Sequence, residues 1–162
     1  MTIESINLKN YRCFEDIGIN FHEKLTVIVG DNGSGKTSIL EGAAVSLGTM
    51  FVGLDGRGGI SINKKDARLK AYQMGESQDI QPQYPVEIMA AGGIDGSTIT
   101  WKRSLNGENG STTIKDARAM TDIAKNYYCS ELLETFRNEE DPKTPYVGIL
   151  IWYLQTMVTA LK

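Results

Sequence analysis

Apolar residues recur at Ile3, Ile6 and Leu8 and again at Ile17, Ile19 and Phe21, close enough to strict alternation to predict two short strands. The polar stretch Lys9 to Asp16 between them reads as a turn, so the pair is expected to form an antiparallel hairpin. Leu25-Thr26-Val27-Ile28-Val29 is a continuous, mostly β-branched run with charge before it and glycine after it, the pattern of a central strand buried on both faces. From Lys36 onward Ile39, Leu40, Ala43, Ala44 and Leu47 fall at helical spacing, which predicts a helix ending near Gly48.

Between Gly53 and Gly59 four glycines fall in seven residues, and Gly75 to Pro85 is polar with two prolines, so both stretches read as loops. Val86 to Ala91 and Thr98 to Leu105 are strand candidates joined by the turn-rich Gly92-Gly93-Ile94-Asp95-Gly96, a second hairpin with Trp101 on its covered face. Asn106-Gly107 and Asn109-Gly110 form a turn cluster. After it Ala117, Met120, Ile123, Ala124, Tyr127, Leu132 and Phe136 predict a long amphipathic helix with a core-facing stripe. Tyr146 to Lys162 is a nearly unbroken apolar run. A spanning helix needs about 20 apolar residues, and Gln155, Thr156 and Thr159 interrupt this shorter one, so a buried strand entering a helix is the better reading and no membrane is expected.

At 162 residues the chain has the length of one domain, expected over 1–162 as a nucleotide-binding core (3–50), a lobe of antiparallel hairpin and long helix (85–140) and an unassigned apolar tail (146–162). A core-like element at the very end suggests that the native domain continues, or that this end is altered. Hydrophobic (41%) and charged (23%) fractions are ordinary for a globular protein, whereas 17 glycines exceed average usage and suggest a backbone-lined site. A net charge of −3 provides no broad cationic field for nucleic acid. Cys13 and Cys129 are far apart, and Met1 opens no secretory leader, so the expected compartment is the cytoplasm with both thiols as small core residues. His22, the one histidine, reads as a loop or strand-edge residue.

Gly30-Asp31-Asn32-Gly33-Ser34-Gly35-Lys36-Thr37 fits G-x-x-x-x-G-K-[ST], the Walker A pattern, without a mismatch. Glycines let successive amides curl around a β-phosphate, and the following helix adds the positive end of its dipole. Lys36 would bring an ammonium to the β- and γ-phosphates and Thr37 a hydroxyl to Mg2+. The setting between strand and helix is the one this loop requires, so nucleotide binding is expected, with Lys36 the residue whose loss hurts most.

A second acidic motif that would polarise the attacking water is missing after Thr37: Pro85-Val86-Glu87-Ile88 is too polar, and Tyr146 to Leu154 holds no carboxylate. No L-S-G-G-type sequence follows either. Lys64, Lys65, Arg68 and Lys70 could touch a nucleic-acid backbone, but such short runs are more often solvated helix faces.

The stretch Ile6-Asn7-Leu8-Lys9-Asn10-Tyr11-Arg12-Cys13-Phe14, followed by Leu25 through Glu41 with the glycine loop inside it, resembles the amino-terminal half of an SMC/RecF/RecN-like ATPase head. That group includes the ATPase subunit of the double-strand-break repair complex and the ATPases of several anti-phage systems. The resemblance is specific over 3–47 and loose beyond. It implies ATP with Mg2+, a phosphate cradle running from Gly30 to Ser38, and Arg12 of the L-x-x-Y-R-x-F stretch as a second cation near the nucleotide. By resemblance two heads of the full-length protein would form a homodimer around two ATP molecules, and the cycle would gate DNA or an effector nuclease.

The expected fold class is therefore α/β, a P-loop NTPase with a mostly parallel core sheet plus an antiparallel β subdomain, as an incomplete ABC-type ATPase head serving DNA repair or anti-phage defence. A nucleotide-binding subunit of an ABC transporter shares the loop, but Gln73, Gln78, Gln81 and Gln83 offer no convincing switch glutamine. A small-molecule kinase would need an arginine-rich lid, and Arg57, Arg68, Arg103 and Arg118 are scattered.

Overall fold

A computed structural model describes residues 2–52, 59–94 and 97–126. Its main sheet has four strands in the order β2-β1-β5-β6: β1 Thr2–Tyr11, β2 Phe14–Asn20, β5 Val86–Ile94 and β6 Ser97–Leu105. Two further strands, β3 Leu69–Met74 and β4 Ser77–Pro82, make a separate ribbon. All pairings among the described residues are antiparallel, so no parallel pair of the expected core sheet falls among them.

Strand β1 is the centre of the design. Alternation brings Ile6 and Leu8 onto one face, where both are buried. Asn10 then takes a positive φ of 50°, which shifts the parity so that Tyr11 is buried too. Helix α1 (Lys36–Leu47) lies on this face, with Ile39 and Val45 joining Leu8, Val86, Ile88 and Leu105 in one core. The approach is close: a side-chain carbon at Gly42 would stand 2.7 Å from Leu8 Cδ2. The helix ends as its spacing predicts, with Gly48 as C-cap followed by the short α2 (Thr49–Val52).

A second, smaller core gathers Ala90, Trp101, Ala117 and Met120. Trp101 is buried as its pattern predicts, and its indole N–H donates to the Ser46 carbonyl at 3.0 Å, tying β6 to the end of α1. Arg103 on the same strand is buried without a carboxylate partner among the described residues. It donates instead to the Thr113 carbonyl (2.8 Å) and the Thr49 hydroxyl (3.3 Å), and desolvation lowers its pKa from the ordinary value. The expected long helix is present over 118–126, where the described residues end. The Gly53 to Gly59 loop (apart from Gly59), the rest of the expected helical stretch from Tyr127 to Phe136 and the tail 146–162 lie outside them.

Three expectations need correction. Leu25–Val29 is not a strand: it makes no ladder with any described segment, and Leu25, Val27 and Val29 are 72%, 69% and 83% exposed while only Ile28 packs against the core. A β-branched run favours extended backbone, but a strand exists only where a neighbour supplies the ladder. The first hairpin is tighter than the polar stretch Lys9 to Asp16 suggests, since Tyr11 pairs with Phe14 across a loop of only Arg12 and Cys13. The Gly75 to Pro85 stretch is not a loop but largely strand β4, paired with β3 from Leu69↔Pro82 to Met74↔Ser77. Its side chains are polar because both faces of the ribbon meet solvent.

Candidate phosphate-binding site

Backbone comes first at this site. Gly33 and Gly35 have φ of 85° and 92°, left-handed values that L side chains rarely adopt. Gly35 is the N-cap of α1, so it turns the chain directly from the loop into the helix. It is also crowded: a side-chain carbon there would lie 2.4 Å from Phe14 Cζ and 2.7 Å from Cys13 Sγ. The β1–β2 turn therefore packs on the loop at the residue before Lys36.

The first turn of α1 carries no acidic residue, and no side chain caps it. Its amides are thus left without the internal anion that many helices provide, which fits an external one. Thr37 is exposed in that turn, and Ser38 is buried beneath it. Asp31, Asn32 and Ser34 are exposed along the loop, closed by Ser34 N–H donating to the Asp31 carbonyl at 3.2 Å. Lys36 Nζ curls back to donate to the Gly30 and Asp31 carbonyls, both at 2.7 Å. An ammonium has three donors, so this arrangement leaves capacity for an oxyanion, and the chain of single bonds behind it can swing away. The residues present fit a polyphosphate. Among the described residues no group of His, Cys, Asp and Glu forms a metal cage, so a cation here would rely on Thr37 and the phosphates themselves.

Arg12 is brought close to the same helix, one turn beyond Thr37. It holds a φ of 53°, at the first central position of a two-residue hairpin loop that glycine would ordinarily fill. Its guanidinium Nε and Nη2 donate to Asp66 Oδ1 at 3.2 and 3.1 Å, its Nη1 contacts Glu41 Oε2, and its amide donates to the Asp66 carbonyl at 2.7 Å. Burial works against its charge, and facing Tyr11, Asp66 and Glu41 outweigh that, so its pKa is raised. The Tyr11 hydroxyl is raised well above its ordinary value, chiefly by burial and then by Asp66.

Around these residues opens a cavity of about 580 Å³, lined by Tyr11, Arg12, Glu41, Ala44, Val45, residues 59–61, Asn63, Lys65 and Asp66. Nothing in the sequence flagged Glu41 or Asp66. Asp66 sits 54 residues from Arg12, and the only local hint is the capping pattern Asn63-x-x-Asp66, which the structure realises around the 3-10 turn Lys64–Asp66. The basic cluster is dispersed rather than forming one face. Lys64 pairs with Glu108, Arg68 with Glu15, Lys65 lines the cavity, and Lys70 stands over the Tyr72 ring. Cys13 is exposed, not a core residue as expected, because it occupies the tight turn.

Residues 5–147 match the model of the AAA domain family. The chain belongs to this family. Within it, the chain is of the SMC/RecF-like kind of P-loop ATPase head. It is similar to the DNA replication and repair protein RecF of Bacillus cytotoxicus, 49% identical over 41 residues (25% of this chain, 11% of the relative). It is also similar to RecF of Alkaliphilus oremlandii, 38% identical over 68 residues (41% and 19%), and to structural maintenance of chromosomes protein 6 of Schizosaccharomyces pombe, 44% identical over 46 residues (28% and 4%). The chain thus spans less than a fifth of the length of these relatives. A solved SMC ATPase chain, studied for ATP-driven dimerization and DNA stimulated activation, overlays with a TM-score of 0.48 at 21% identity, covering 69% of this AAA-domain chain and 67% of that one. No helix among the described residues is long and apolar enough to cross a membrane.

Proposed function

We propose that this AAA-domain chain binds ATP with Mg2+ through Gly30 to Ser38, and that it does so as part of an ATPase head acting in DNA repair or anti-phage defence. The observation that carries the reading is the delivery of the glycine loop, by the left-handed Gly35, straight into an uncapped and acid-free helix start bearing Lys36 and Thr37. Loop amides and the helix start would cradle the phosphates, Lys36 would exchange its two carbonyl partners for phosphate oxygens, and the Thr37 hydroxyl would hold the metal. Bound Mg2+ would neutralise phosphate charge. Adenine preference rests on the family likeness.

Whole-head chemistry is inferred from relatives whose names state DNA replication and repair. Two heads closing on ATP, and coupling to DNA or an effector nuclease, would be the output. No observation favours a transporter subunit. Because no acidic motif follows Thr37 within 162 residues, the chain should bind nucleotide weakly and turn it over slowly or not at all. A phosphate-release assay tests this: multi-turnover hydrolysis by 1–162 that disappears in Lys36→Ala would refute the slow-turnover prediction. In the full-length protein, duplex DNA should raise turnover, and an unchanged rate would count against the DNA reading.

A further inference from the structure

Arg12 is held by two carboxylates that treat it very differently. Asp66 is an anchor: its side chain is 5% exposed, Oδ1 receives both Nε and Nη2 of Arg12, and Oδ2 receives the Asn63 amide at 2.9 Å. Its backbone carbonyl also takes the Arg12 amide at 2.7 Å. Glu41 meets a single donor. It reaches only Nη1, and the Oε2 that makes this contact is buried, although the side chain as a whole is 26% exposed, and accepts no hydrogen bond among the described residues. The two grips come from different elements, since Glu41 rides on α1 one turn beyond Thr37 whereas Asp66 closes the 3-10 turn that lies against the end of β1.

We infer that Asp66 is the positioning residue that fixes Arg12 at the cavity, and that Glu41 is a placeholder anion whose contact with Nη1 an incoming nucleotide phosphate must displace. The inference rests on the nucleotide reading above and adds a gate to it. Phosphate and Glu41 compete for one guanidinium edge because both present oxyanions to the same fork of donors. Asp66 keeps the other edge throughout, so Arg12 pivots about Nε rather than leaving. Glu41 stands about 6 Å along the helix from Thr37 by the rise per residue, so the exchange needs a side-chain movement and no rearrangement of the fold.

The two carboxylates should therefore respond with opposite sign to neutralisation. Binding of a fluorescent ATP analogue with magnesium to the full 162-residue chain, followed by anisotropy, measures it. Glu41→Gln is expected to tighten binding about threefold or more, and Asp66→Asn to weaken it about tenfold, within the span of measured couplings between contacting groups. Both effects should vanish in an Arg12→Ala background, which a merely structural role of either carboxylate would not produce. If Asp66→Asn melts early, Glu41→Gln alone decides. Saturable, Lys36-dependent binding that Glu41→Gln leaves unchanged or weakens overturns the gate while the nucleotide reading stands. Absence of saturable binding by the wild-type chain overturns both.

Discussion

Gly35 shows at one residue how local conformation and packing act together. It takes a φ of 92° and has Phe14 and Cys13 pressed against the space where a side chain would begin. Gly35→Ala should cost about 2 kcal/mol from the left-handed backbone and the overpacking combined, measured by denaturant unfolding; a change below about 0.5 kcal/mol, the scale of an ordinary surface substitution, would contradict the packing described. Tyr11 yields a pH dependence. Its hydroxyl is raised above 10.0 by burial and then by Asp66, so the folded state resists ionisation. That stability is present in full below pH 10 and is lost as pH rises beyond it. Tyr11→Phe should flatten the alkaline fall in stability, and an undiminished slope would show that another group is responsible. The motif residues Gly30 to Thr37 were legible one by one because each does a local job. Glu41 and Asp66 were not, because their role is defined by an arginine supplied from a distant hairpin turn.

Elements whose partners are sequence neighbours could be read in advance. The β5–β6 hairpin and helix α1 appear where alternation and helical spacing put them. Leu25–Val29 could not be read that way, since nothing within the run specifies a neighbour, and among the described residues none pairs with it. The β3–β4 ribbon was hidden for the opposite reason: it pairs well but buries nothing, so it lacks the apolar alternation that marks a strand. A two-stranded ribbon is marginally stable alone. Gly75 opens its turn with φ of 64° and open space around it, so Gly75→Ala strains backbone without a clash. Hydrogen exchange across Leu69–Pro82 should accelerate in that variant while the global melting temperature stays within error. A matching fall in melting temperature would mean that the ribbon is part of the cooperative core. Trp101→Ala, by contrast, should cost about 3–5 kcal/mol by leaving a cavity in the second core and removing the indole hydrogen bond to the Ser46 carbonyl, read from chemical denaturation; a loss below about 1 kcal/mol would contradict the burial of that ring.

At the scale of the molecule, an antiparallel sheet backs helix α1, and the middle of that helix (Glu41, Ala44, Val45), the β1–β2 turn and the 3-10 turn at Lys64–Asp66 meet around one cavity. The sheet determines where Arg12 stands, the helix where Lys36 and Thr37 stand, and the Arg12–Glu41 ion pair ties the two. Family membership is consistent with that arrangement across residues 5–147. The central claim is that the loop from Gly30 to Thr37 engages triphosphate. Isothermal titration of ATP with magnesium into the 162-residue chain tests it most directly. One site per chain is expected, weakened about 10- to 100-fold by Lys36→Ala, the loss of a charged hydrogen-bonding group. Heat no different from dilution in the wild-type chain, or equal affinity in the Lys36→Ala chain, would contradict it.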